Sequence, residues 1–357
     1  MKIIHCADIH LDSKMETHLT RQQAAERGRE LLQTFLGLID YAADNGVRAV
    51  VIAGDLFDSA RISAVTAGSV LDAMADHPEV DFLYLRGNHD ESERAFAGRQ
   101  LPENLKLFGE EWQYHRYGDV VIAGAELTDR NHTTLYDRLK LRQGDVNLVA
   151  LHGQEAARPG PELVCINALR GKHIRYLALG HLHSFRLEQL DPFGQYAYSG
   201  CLEGRGYDEC GEKGFVLLTV HGGRVSPEFI PFARRTLHHV SVDITGLTQA
   251  NHICQAMLAA AADIPREDLV KFTLCGSFTP GTNKDPGYLL KALERRFYHV
   301  RLSDESTLAL EPETYENDIS LKGEFTRLVM ASALSEGDKG RVLQAGLQAL
   351  RGEEVTL

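Results

Sequence analysis

The sequence predicts an α/β fold built around a largely parallel sheet. Three observations carry that reading: short β-rich apolar runs alternate with helical periodicities from residue 2 onward, most of these runs stop at a polar or glycine-flanked end, and the alternation restarts after residue 235. "KIIHCA" (2–7) reads as the first strand. Between residues 20 and 45, Leu31, Phe35, Leu38 and Ala42 recur at helical spacing, and Gly46 follows as a stop. "RAVVIAG" (48–54) is then a strand, residues 62–77 a helix and "DFLYLRG" (81–87) a strand. This β-α-β-α-β order implies right-handed crossovers, with ligands expected at the carboxyl ends of the strands.

Strands continue in "VNLVAL", "IRYLAL", "QYAYSG" and "KGFVLLTV", with less helix between them, so a second sheet is expected. From residue 236 a smaller α/β pattern begins: "LHHVSVDI" as strand, 248–262 as an alanine-rich helix, "LVKFTLCGSF" as strand, "GYLLKALERRF" as helix and "HVRLS" as strand. The expected division is residues 1–235, 236–310 and a helical tail, 311–357. In the tail, Leu321, Phe325, Leu328 and Val329 fall on one side of one short helix, and Leu343, Leu347 and Leu350 on one side of a second. Ser335 and Asp338 stand three apart, as in a capping box. These apolar faces either pack on their own domain or dock on a partner.

Composition narrows the function. With 357 residues and 43% hydrophobic content, the chain can bury a sizeable core. The net charge of −12 excludes binding nucleic acid by a generally basic surface, so a polyanionic substrate has to be held locally. No run approaches a membrane span, the N-terminus turns acidic too soon for a signal peptide, and a cytoplasmic location without membrane association is expected. The six cysteines show no paired spacing and read as reduced.

Chemistry concentrates at five strand ends: "ADIH" (7–10), "GDLFD" (54–58), "GNHD" (87–90), "HG" (152–153) and "GHLH" (180–183). Asp8 and His10 are two apart, which in extended chain puts both on one face, and His181 and His183 follow the same rule. His5 has the opposite parity from Asp8 and reads as a packed strand histidine. Asp8, His10, Asp55, Asn88, His152, His181 and His183 offer carboxylates, imidazoles and one amide oxygen, a donor set suited to Mn²⁺, Fe or Zn²⁺ with open positions. Asp55 is the candidate bridge between two ions. Two divalent ions, offset by Asp8, Asp55 and one hydroxide, leave a net charge of about +1, suited to a phosphodiester monoanion. Glycines beside Asp55, Asn88 and His181 would let backbone approach the ions closely.

The order D-x-H, G-D-x-x-D, G-N-H-D, H, G-H-x-H resembles the calcineurin-like metallophosphoesterase superfamily over roughly residues 1–220. That resemblance implies two packed mixed sheets flanked by helices. "HCADIHLDS", "AGDLFD", "LRGNHD", "ALGHLH" and "YSGCLEGRGYDECGEKGF" are similar to SbcD-type DNA double-strand-break repair nucleases, the last block above all to a YhaO-like bacterial branch. The resemblance implies one ion held by Asp8, His10, Asp55 and His183, and another by Asp55, Asn88, His152 and His181. It gives His89 the proton for the leaving oxygen, and Asp58 either the orientation of His89 or a cap on the helix near residue 60. Arg61, Arg86 and Arg205 could reach substrate phosphates, with surface salt bridging the stronger reading for each.

The activity implied is Mn²⁺-dependent cleavage of DNA as an exonuclease or endonuclease, with residues 236–310 steering the substrate. The implied partners are DNA, an SbcC-like SMC-type ATPase gripped by the tail, and a second copy of the chain. A small-molecule phosphodiesterase, acting for example on cyclic nucleotides, is the alternative. The full ligand set argues against a non-catalytic docking subunit.

Overall fold

The computed structural model describes residues 1–15, 19–58, 62–87, 96, 98–279, 282–309 and 318–350. The chain divides into two compact units, Met1–Thr236 and Leu237–Leu357.

The first unit begins with β1 (Lys2–Cys6), α1 (Arg21–Asp44), β2 (Val47–Ala53), α2 (Ala64–Asp76), β3 (Asp81–Leu85) and β4 (Leu105–Leu107). It continues through β5 (Gln113–Tyr117), β6 (Val120–Gly124), β7 (Val146–His152), β8 (Gln154–Ala156), β9 (Leu163–Cys165) and β10 (Ile174–Gly180). β11 (Arg186–Asp191), β12 (Gly194–Tyr198), β13 (Gly214–His221) and β14 (Arg224–Pro231) complete it. One sheet has the order β14-β13-β1-β2-β3-β4 and the other β11-β12-β10-β7-β6-β5. In the first, β1 to β4 run parallel while β13 and β14 are antiparallel. In the second, β12, β10, β7 and β6 run parallel between antiparallel edges. Both sheets are therefore mixed.

Strand alternation builds the layers. Ile3, Val51, Leu83 and Val216 of one sheet meet Ile122, Leu148, Tyr176 and Ala197 of the other in one apolar cluster. Ile4, Cys6, Val50, Ile52 and Phe82 turn the other way, onto Phe35, Leu38 and Ile39 of α1 and Val70 and Met74 of α2. Burying each such side chain contributes about 1.5–3 kcal/mol. Thr20 caps α1 with a capping box, its hydroxyl accepting from Gln23 N while the Gln23 side chain accepts from Thr20 N. Ser63 caps α2, and Asp12 accepts from Ser63 N and from the Thr66 hydroxyl, both at 2.7 Å. The helix cap considered for Asp58 is thus filled by Ser63.

A buried ion pair fastens the loop after β12. Arg27 on α1 donates to Glu203 at 2.9 Å, and the Thr34 hydroxyl donates to the same carboxylate at 2.7 Å. All six cysteines carry free thiols. No helix among the described residues is long and apolar enough to cross a membrane.

The second unit holds β15 (Leu237–Asp243), β16 (Leu269–Cys275), β17 (Ser277–Phe278), β18 (His299–Asp304) and β19 (Thr307–Leu308). β15, β16 and β18 form a parallel sheet, with helices Ala250–Ala260 and Pro286–Leu293 packed on Val242, Phe272 and Val300. The tail forms helices Leu321–Met330 and Glu336–Ala349, the second capped by Ser335, whose hydroxyl accepts from Asp338 N at 3.2 Å. Val329, Leu343 and Leu347 are buried. Leu321 and Leu328 are 69% and 64% exposed while Val329 is buried, so Val329 departs from the side that carries the two leucines.

His5 is packed between the sheets, accepting from the Tyr176 hydroxyl at 2.9 Å through Nδ1 and donating to Leu179 O at 3.2 Å through Nε2. Burial pushes its pKa down to about 3, so the folded state binds the proton less readily than the unfolded chain. Its contribution is intact above the ordinary histidine range and is lost as pH falls through it. Between pH 7 and pH 5 the wild type should lose about 2 kcal/mol more unfolding free energy than His5→Gln. Urea titrations at the two pH values measure the difference, and equal losses would show that His5 is not held neutral.

Candidate metal centre

Parallel strands deliver the polar residues to one edge. β1, β2 and β3 sit side by side in one sheet and β7 and β10 in the other, so the segments after Cys6, Ala53, Leu85, Leu151 and Gly180 emerge at adjacent carboxyl ends. Asp8, His10 and His183 have ligand atoms within 4.8 Å of one another, as do Asp8, Asp55 and His152. Asp8 belongs to both groups. Asp55 Oδ2 lies 3.7 Å from His10 Nε2 and 3.6 Å from His152 Nε2, between the two groups. The His181 backbone donates to Asp8 Oδ1 at 2.9 Å and Oδ2 at 3.0 Å, while its ring packs edge-on against His152 at 5.6 Å. Asn88 and His89 lie outside the described residues.

The local backbone departs from the extended chain assumed for Asp8 and His10. Asp8, His10 and Asp55 have φ of 52°, 51° and 52°, and His181 has φ of 108°. These are left-handed values that asparagine, aspartate and histidine enter more readily than most residues. Asp8 and His10 converge through successive sharp turns, and strand parity is not the cause. The glycines also serve differently from expectation. A Cβ at Gly54 would stand 2.1 Å from His152 Nδ1, and one at Gly87 would stand 2.1 Å from Asp55 Oδ1. They make room for the imidazole and the carboxylate themselves.

Each of three histidines has its Nδ1 turned to an acceptor. His152 Nδ1 donates to Ala53 O at 2.8 Å, and His183 Nδ1 donates to Glu209 at 2.6 Å. His10 Nδ1 lies 3.0 Å from Asp58. The acceptors behind His152 and His183 fix their Nδ1–H tautomers and turn the Nε2 atoms toward the cluster, as metal ligation requires. His10 Nε2 and His183 Nε2 stand 3.3 Å apart, the spacing of two neighbouring ligands about 2.1 Å from one ion. The donor set and its geometry therefore fit divalent cations.

The buried groups shift one another's proton affinity. Burial, with Asp55 adjacent, raises Asp8 to about 7 even though His183 opposes the shift. Burial lowers His152 to about 4, leaving it neutral near pH 7. His183 is raised, because Glu209 and Asp8 outweigh its burial. Glu209 is itself buried, yet His183 and Arg205 hold it well below the usual carboxylate range.

Asp58 and Arg205 meet beside the cluster. Asp58 faces His10 and Arg205, at 3.0 and 3.3 Å. Arg205 is not a surface residue: its side chain is 18% exposed and bonded to Glu209 and Asp58. Glu209 was missed as a site residue, although it lies in the "YDEC" stretch of the block 198–215; its acid-after-loop position offers no local signal. Arg86 does form a salt bridge, gripping Glu126 through Nε and Nη2 at 2.7 and 2.6 Å. Arg61 lies outside the described residues.

Two mixed sheets flanked by helices, with aspartates and histidines gathered at their parallel strand ends, define a metal-dependent phosphoesterase. Residues 1–185 match the model of the calcineurin-like phosphoesterase family, and the chain belongs to that family. It is 26% identical over 263 residues to the uncharacterized metallophosphoesterase YhaO of Bacillus subtilis, covering 69% of this chain and 64% of that protein. It is 26% identical over 299 residues to the DNA double-strand break repair protein Mre11 of Aeropyrum pernix, covering 76% of this chain and 71% of that protein. The Methanosarcina mazei protein of the same name is 25% identical over 248 residues, of which this chain spans 38%.

Because Gly54 borders the His152 ring, Gly54→Ala should displace that ligand and leave the sheets intact. After Mn²⁺ loading and desalting, elemental analysis should find less metal per chain than in wild type, with an unchanged far-ultraviolet circular dichroism spectrum. Full retention of metal would show that the ring position does not matter for binding.

Proposed function

We propose that this protein is a DNA nuclease subunit that hydrolyses phosphodiester bonds with two divalent ions, Mn²⁺ being the favoured metal. The observation that carries the reading is the extent of the likeness to the Aeropyrum Mre11. A match over 76% of 357 residues cannot end before Leu237, so it reaches into the second unit, well beyond the family match at 1–185.

In this proposal Asp8, His10, Asp55 and His183 hold one ion, and Asp55, Asn88, His152 and His181 the other. Bound divalent ions supply positive charge for the phosphate and make water acidic enough to act as a nucleophile near neutral pH. Asp55 Oδ2 would serve both positions, a role supported by its distances of 3.7 Å to His10 Nε2 and 3.6 Å to His152 Nε2. Asp58 acts as the acceptor behind His10. His89 gives a proton to the leaving oxygen. The acidic net charge is consistent with a subunit that takes its DNA affinity from a partner.

An SMC-type ATPase is the proposed partner. Leu321, Leu328 and Val342 are large exposed apolar residues on the two tail helices, and Ile319 and Leu334 are exposed in the segments beside them, which supports a helix-in-groove contact. Deleting residues 319–357 should abolish co-purification with the ATPase and leave hydrolysis of bis-nitrophenyl phosphate within about twofold, since that small substrate needs only the metal centre. Persistent binding would remove the tail from the interface.

The direct test incubates the purified chain and Mn²⁺ with end-labelled duplex, single-stranded DNA and a cyclic nucleotide, with and without the ATPase. Cleavage of DNA is expected. Turnover of the cyclic nucleotide alone would replace this reading with the small-molecule one. His89→Ala should retain its metal and lose on the order of 10²–10⁴-fold in rate, the usual contribution of a positioned acid.

A further inference from the structure

The three imidazoles of the cluster are not backed alike. His152 rests on a neutral backbone carbonyl, Ala53 O at 2.8 Å. His10 and His183, whose Nε2 atoms meet, each rest on a carboxylate: Asp58 at 3.0 Å and Glu209 at 2.6 Å. One arginine joins those two carboxylates. Arg205 Nη1 lies 3.3 Å from Asp58 Oδ1, its Nη2 donates to Glu209 Oε1 at 2.9 Å, and its backbone N donates to Glu209 Oε2 at 2.7 Å.

The arrangement spans the two sheets. Asp58 follows β2, and Glu209 and Arg205 lie between β12 and β13. Glu203, two residues before Arg205, is pinned by Arg27 and Thr34 of α1, so the segment carrying the arginine has a fixed root. Lys213 adds a second tie, donating to His183 O at 2.7 Å.

We infer that Arg205 is a positioning residue that clamps Asp58 and Glu209 behind His10 and His183. It thereby sets the affinity of one metal position and leaves the position at His152 unaffected. The physical reason is geometric. Two carboxylates placed behind neighbouring imidazoles repel each other, and a planar guanidinium with divergent donors can hold both at once. A lysine ammonium supplies the same charge from a single point. Carboxylate backing also strengthens an imidazole ligand relative to carbonyl backing, and loss of such a partner typically costs about 10–100-fold in metal affinity. The inference rests on the metal reading given under Proposed function.

The test is calorimetric titration of Mn²⁺ into the metal-free full chain, comparing wild type with Arg205→Met, Arg205→Lys and Glu209→Gln. The wild type is expected to show two binding events. Arg205→Met should weaken one of them by about 10–100-fold and leave the other within about twofold. Arg205→Lys should fail to restore the weakened event, and Glu209→Gln, which keeps an acceptor for His183, should weaken the same event more mildly. Visible absorption of the Co²⁺-loaded forms gives an independent readout, since only the band of the affected position should change.

Equal weakening of both events, an unchanged titration, or full rescue by lysine would overturn the clamp while leaving two-metal binding in place. A wild type with no binding event would overturn the metal reading as well. Should Arg205→Met fail to fold, the lysine and Glu209→Gln variants decide the question by the same criteria.

Discussion

The structure depends on confining like charges away from bulk solvent. Asp8 and Asp55 are 1% exposed and adjacent, and imidazole nitrogens face them from His10, His152 and His183. Buried carboxylates are costly unless paired or bound to a metal. Burial, with Asp55 adjacent, raises Asp8, as expected for a carboxylate held away from solvent beside a like charge. A divalent cation bound between the two carboxylates would offset that cost.

Holding the cluster together takes strain that the surrounding fold must absorb. Left-handed backbone at residues such as Asp8, His10 and Asp55 costs on the order of 1–3 kcal/mol each, and such strain gathers at functional sites. The offset comes from the layers beneath. The strands before Asp8 and Asp55 are buried on both faces, packing Ile4 and Val50 against the helices and Ile3 and Val51 against the second sheet. Backbone bonds then lock the turns together: Asp8 N donates to Gly54 O at 3.1 Å and His10 N to Asp55 O at 2.9 Å. The two strand ends hold each other in the strained conformation.

The strand-end chemistry was legible in the sequence because it is dense and local. Strands ending in Asp8, Asp55, His152 and His181 announce themselves through apolar runs that stop at polar residues. The reasons for convergence were less legible. Two-residue spacing suggested extended chain for Asp8 and His10, whereas turns bring them together. Glycine spacing showed that room was needed, without showing that the His152 ring and the Asp55 carboxylate fill it. Arg205 and Asp58 are 147 positions apart, and Arg27 and Glu203 are 176 apart. No periodicity encodes pairs that arise only when two sheets stack. In the tail, helical spacing grouped Leu321 and Leu328 with Val329, but a helix with apolar residues on two sides leaves it to tertiary contact to choose the buried one.

The central claim is that the strand-end cluster is a two-cation site. A crystal structure of the Mn²⁺-loaded chain, with anomalous difference maps collected at the manganese edge, tests it most directly. The account predicts two peaks within reach of Asp8 and Asp55, one about 2.1–2.3 Å from the Nε2 atoms of His10 and His183 and the other at that distance from His152 Nε2. A single peak, or manganese bound only to surface carboxylates away from these residues, would contradict it.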